Sequence, residues 1–88
     1  MPNVKSAAKR VRITRKRTER NRRIKSSLRT AIRRFQEAIT SANKDEAQLK
    51  LRTALVTIDK AVTKGVLHRN TAARTKSRLT KRFNKMAI

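Results

Sequence analysis

The chain has 88 residues, of which 26 are Lys or Arg and 5 are Asp or Glu, giving a formal charge of +21. Such a charge opposes a compact monomer by self-repulsion and draws the chain to polyanions, while this length provides one small domain with one modest core. Cysteine is absent, which excludes disulfides and thiolate metal sites; no apolar run could span a bilayer or act as a signal peptide, so a soluble, intracellular protein is expected.

Glycine and proline occur once each, as Gly65 and Pro2. With so few breakers, and with Ala, Leu, Lys, Arg and Gln abundant, the composition is that of a nearly all-helical chain. The first element is unusual. Residues 9–23 read KRVRITRKRTERNRR: nine are basic, Glu19 is acidic, and only Val11 and Ile13 are branched aliphatics. On a helical wheel the face that later carries Leu28, Ile32 and Phe35 continues upstream onto Arg10, Thr14, Arg17 and Asn21. The remaining arcs hold Arg12, Arg15, Lys16, Arg20, Arg22 and Arg23. The arm at 5–23 therefore has nothing apolar to pack. It is expected to fray when free and to become helical against a polyanion.

From residue 24 the spacing Ile24, Leu28, Ala31, Ile32, Phe35, Ala38, Ile39 fills an arc of roughly 120°, as a core-facing helix requires; the bundle part of the first helix is placed at 24–42. Asn43 can cap a second helix at 44–64, with Glu46 three residues on to close a capping box, and Asp45 and Glu46 suit its positive end. That helix carries Ala47, Leu51, Ala54, Leu55, Ile58, Ala61 and Val62 on one face. It should end at Gly65 in a Schellman arrangement, with Val66 folding back toward Ala61. A third helix at 70–86, capped by Asn70, carries the thinner stripe Ala72, Leu79, Phe83 and Met86. Short connections imply antiparallel neighbours. The expected fold is all-α: one domain over 1–88, an antiparallel three-helix bundle whose long, basic first helix extends beyond it.

Charge follows these divisions. Residues 1–34 hold fourteen basic residues and one acidic, 35–62 four of each, and 63–88 eight basic and none acidic. The middle stretch 35–62 is neutral, so the helices on either side would present one broad positive surface if they packed side by side. Arg outnumbers Lys fifteen to eleven, which favours bidentate, charge-assisted bonds to phosphate. A basic run alone is commonly a disordered tail. The second cluster, Arg69, Arg74, Lys76, Arg78, Lys81, Arg82 and Lys85, argues for a binding domain instead. Phe35 and Phe83 lie on core stripes, so no aromatic platform exists for stacking single-stranded bases; recognition should rest on phosphate, ribose and folded shape. Phosphate chemistry alone leaves DNA open as a rival to structured RNA. His68 lacks convergent ligands or a nucleophile, so no catalytic residue, metal site, cofactor or small-molecule substrate is expected. The arm also lacks the apolar face a membrane-surface helix needs.

Four blocks stand in order along the chain: MPNVKSAAKR at the start, KSSLRTAI at 25–32, DKAVTKG at 59–65 and HRNTAARTKSRL at 68–79. Together they resemble the bacterial small-subunit ribosomal protein S-twenty family over essentially the whole chain. The resemblance implies a three-helix bundle that binds 16S ribosomal RNA directly and early in assembly, in the 5′ domain with further contact to the 3′ minor domain. It implies a cytoplasmic, ribosome-bound protein and no homo-oligomer. By position it adds Lys5, Ser6, Lys9 and Arg10 from the first block, and Lys25, Ser26 and Arg29 from the second, to the RNA-contacting set. From the last block it adds His68, Asn70, Arg74, Lys76, Ser77 and Arg78. Thr75 departs from the family pattern, and 11–23 matches by charge rather than by letter.

Overall fold

Three helices account for almost all of the chain because nothing but the two short connections interrupts helix-forming sequence. The computed structural model describes residues 3–87, and within them α1 spans Asn3–Thr40, α2 Lys44–Thr63 and α3 Arg69–Ala87. The first helix is continuous through the basic arm and the bundle segment. At 1.5 Å per residue its 38 residues run about 57 Å. The molecule accordingly measures 67 × 22 × 13 Å, with a radius of gyration of 17.8 Å, against about 12 Å for a compact domain of this length.

The core positions repeat at alternating steps of three and four. In α1 they are Leu28, Ala31, Phe35 and Ala38; in α2 they are Ala47, Leu51, Ala54, Ile58 and Ala61. That spacing keeps one seam of each helix facing its partner at a shallow crossing angle. Alternate seam positions are alanine, so the backbones approach closely and Phe35 and Ile58 are fully enclosed. The second helix packs along both of its neighbours, while α1 and α3 touch only sparingly. The basic helices thus do not form one flat sheet of charge. A cleft runs between them, lined by Ile32 and Gln36 from α1 and by Arg78, Leu79, Lys81, Arg82 and Lys85 from α3.

Both connections are Schellman turns. After α2, the Val66 N–H donates to the Ala61 carbonyl at 2.9 Å and the Gly65 N–H to the Val62 carbonyl at 3.0 Å, with Gly65 at φ 74°, as its position in the sequence requires. After α1 the same pair recurs: Asn43 N–H to Ala38 O at 3.3 Å and Ala42 N–H to Ile39 O at 3.1 Å. Here the left-handed position is filled by Ala42 at φ 58°, where a Cβ is sterically disfavoured. Asn43 caps α2, its Oδ1 accepting from the Glu46 N–H at 3.1 Å, and its Nδ2 donates back to Glu46 Oε2 at 3.5 Å. The third helix differs from expectation: it begins at Arg69, and His68, not Asn70, is its cap, with Nδ1 accepting from the Asn70 N–H at 3.1 Å.

Upstream of the core the seam of α1 turns polar at Asn21, which is half-buried and whose Oδ1 lies buried without a hydrogen-bond partner. From Lys5 to Arg20 every residue is exposed, including Val11 at 51% and Ile13 at 40%.

Three outcomes are expected in thermal or urea unfolding. Gly65→Ala should lower stability by about 1 kcal/mol and Ala42→Gly should raise it by a similar amount; no atom lies within 4 Å of an added Cβ at Gly65, so the first effect is conformational, not steric. Asn21→Leu should stabilise by about 1 kcal/mol, because it removes an unpaired buried acceptor and extends the apolar seam; a loss of stability would show that the Asn21 amide is satisfied in solution.

Candidate nucleic-acid interface

The basic side chains form two territories set by the fold. The arm is a rod: Lys5, Lys9, Arg10, Arg12, Arg15, Lys16, Arg17 and Arg20 are all exposed, and no core lies beneath them to choose one face. Ser6 is exposed on the same rod and is engaged in an interaction of its own. One arm residue reaches the bundle. The Arg20 guanidinium donates to the Lys64 carbonyl at 3.3 Å, placing a positive charge at the negative end of the α2 dipole. Arg22, Lys25, Ser26 and Arg29 follow on the exposed side of α1, where with Thr18 and Asn21 they flank a shallow cleft.

The second territory is α3. Arg69, Asn70, Arg74, Ser77, Arg78 and Lys81 are exposed; Lys76 is half-buried. Position 76 continues the seam of Leu79, Phe83 and Met86 one step upstream, so a lysine there must reach outward along α2. It does so by an ion pair, Lys76 Nζ to Asp59 Oδ1 at 2.8 Å. The fold makes Asp59 a strap between α2 and α3. With both side chains substantially exposed, such a pair contributes little to stability. Its main effect is to draw Lys76 toward a protein anion. Arg74 folds back along its own helix, with Nε to the Asn70 carbonyl at 3.5 Å. His68 is exposed, but its Nδ1 is occupied by the cap, which leaves the Nε2 edge of the ring for any other contact.

Two sets of residues were not singled out as contacts from sequence. Arg82 and Lys85 join Arg78 and Lys81 on the α1–α3 cleft; their membership of the third-helix basic cluster was the available signal. Arg34, Lys50, Thr53 and Thr57 line a separate cleft between α1 and α2, and no pattern in the linear sequence joins residues of two helices. Among the described residues no helix is long and apolar enough to cross a membrane, and no group of three or more His, Asp or Glu could hold a metal ion.

Comparison with known proteins agrees over the full length. The family model described as Ribosomal protein S20 matches residues 2–84. A small ribosomal subunit protein bS20 from Pelotomaculum thermopropionicum is 72% identical across 98% of each chain. The proteins of the same name from Desulforamulus reducens and Desulforudis audaxviator are 66% identical across 99% of each chain and 61% identical across 96% of each chain, respectively.

Because His68 serves the fold first, His68→Ala should cost about 1 kcal/mol in urea unfolding and His68→Asn should recover most of it. Equal stability of all three chains would free the imidazole from its capping role.

Proposed function

The chain belongs to the ribosomal protein S20 family, a structural and non-enzymatic constituent of the small ribosomal subunit, and from that premise we propose that it acts by binding 16S ribosomal RNA directly. The contacts lie in the 5′ domain, with further contact to the 3′ minor domain, and the protein works in the cytoplasm as part of the ribosome. The observation that carries this reading is the arm. Its residues from Lys5 to Arg20 are uniformly exposed and carry a single carboxylate, Glu19, among eight cations. A rod so charged is stable only where counter-charge surrounds it, as at a junction of RNA helices.

The mechanism is neutralisation by a preorganised scaffold. Arg12, Arg15, Lys16, Arg17, Arg22 and Arg23 on the arm, with Lys5, Lys9 and Arg10 toward its tip, bind phosphates that would otherwise repel one another. Each neutralised phosphate releases condensed counterions. The bundle presents Lys25, Ser26 and Arg29 on α1 and His68, Arg69, Asn70, Arg74, Lys76, Ser77, Arg78 and Lys81 on α3 to a second RNA segment. Two segments held by one rigid body are thereby fixed relative to each other. Residues 1–88 act as one RNA-binding domain, without cofactor, small-molecule substrate, membrane or second copy of the chain.

The test is a competition. Binding to the 5′ domain of 16S rRNA at physiological salt should survive excess duplex DNA, and the triple change Arg12→Gln, Arg15→Gln, Arg17→Gln should reduce the slope of log affinity on log salt by about 0.7–0.9 per lost phosphate contact. Equal competition by DNA, or an unchanged slope, would reduce the arm to a charged tail.

A further inference from the structure

The cleft between α1 and α2 has a chemistry unlike that of the cleft between α1 and α3. It encloses about 290 Å³ over a floor at Ala31, and its walls are hydroxyls flanked by two cations: Ser26, Thr30, Thr53 and Thr57, with Arg34 and Lys50. Arg34 and Lys50 pair with no carboxylate among the described residues. The state of two of these hydroxyls is fixed by the helix. Thr57 Oγ1 donates to the Thr53 carbonyl at 2.8 Å, and Thr53 Oγ1 donates to the Leu49 carbonyl at 3.1 Å.

A hydroxyl has one proton and two acceptor lone pairs. With the proton committed to the turn below, Thr53 and Thr57 offer the cleft acceptors only. A phosphate oxygen is itself an acceptor and gains nothing from them. A ribose 2′-hydroxyl is a donor, and the shallow minor groove of A-form RNA displays 2′-hydroxyls beside the phosphates. Arg34 and Lys50 provide for those phosphates at the edge of the same cleft.

We infer that the α1–α2 cleft is a ribose-reading site, in which Thr53 and Thr57 accept hydrogen bonds from RNA 2′-hydroxyls while Arg34 and Lys50 bind the adjoining phosphates. The inference rests on the RNA-binding reading above and adds to it a means of telling RNA from DNA. Ser26, at the cleft's upper edge, is shared with the cleft beside Arg22, Lys25 and Arg29. One track therefore runs from the arm onto the bundle.

The full-length chain is to be titrated with a short RNA duplex and with the same-sequence hybrid in which one strand is DNA, both close to A-form. The wild type should prefer the RNA duplex, and Thr53→Val with Thr57→Val should reduce that preference by roughly tenfold, the effect of two lost hydrogen bonds, at an unchanged salt slope. Arg34→Gln with Lys50→Gln should instead lower the salt slope by about two and keep the preference. A circular dichroism melt of each variant verifies its fold, and the wild-type comparison of the two duplexes stands without any variant. Equal wild-type affinity for duplex and hybrid, or a preference that survives the valine pair, overturns the inference while leaving salt-dependent RNA binding intact. Failure of the 5′ domain to survive DNA competition would instead overturn the reading beneath it.

Discussion

Mutual repulsion among like charges is the constraint around which this molecule is arranged. A chain with 26 cations and 5 anions can fold only if its charged helices are kept from sharing an interface. Helix α2, in which four cations stand against three anions, does this by packing along both, so that α1 and α3 touch little. What holds the three together is modest: small residues at alternate seam positions, two fully enclosed large side chains in Phe35 and Ile58, and one exposed strap between Asp59 and Lys76. The scarcity of anions is the other half of the design. Those present are placed at the first turn of α2, on that strap, and on Glu37 opposite Arg33 at 3.8 Å; only Glu19 sits on the arm.

The same economy shapes the surface. Among the described residues the arm's cations stand apart from the bundle, with Arg20 held on the Lys64 carbonyl. In the bundle the cations line clefts rather than a plane: Arg78, Lys81, Arg82 and Lys85 between α1 and α3, and Arg34 and Lys50 between α1 and α2. Charge provides affinity on either side, but the two clefts differ in their neutral walls, one partly apolar and the other hydroxylic.

Most of the architecture was legible in the sequence because it is local. The apolar stripes at 24–39 and 47–62, the Asn43 cap with Glu46, and the Gly65 turn with Val66 bonded to Ala61 are set by spacing along one helix or across one turn. The S-twenty resemblance was carried by contiguous blocks. What could not be read depends on approach between helices. Lys76 looked like any other cation until Asp59 was found opposite it. The thin stripe of α3 gave no hint that it would leave a cleft against α1 instead of a joint surface. His68 outcompeted Asn70 as the cap because a ring nitrogen two residues upstream can reach the Asn70 N–H, a geometry that residue preferences do not weigh. Ala42 hid a Schellman turn because the residue type that usually betrays one is missing.

The unbroken helix from Asn3 to Thr40 has a consequence for how the chain can vary in length. Arm and bundle share one helical phase, and each residue advances that phase by about 100°. Adding or removing a single residue near Asn21 would swing the whole arm to another side of the bundle. Its cations would then face away from the track that continues through Ser26 into the α1–α2 cleft. Only changes close to whole numbers of turns, such as seven residues, preserve the alignment. The arm is thus indexed to the bundle like a key blade to its bow: its length can change in steps, and its angle hardly at all.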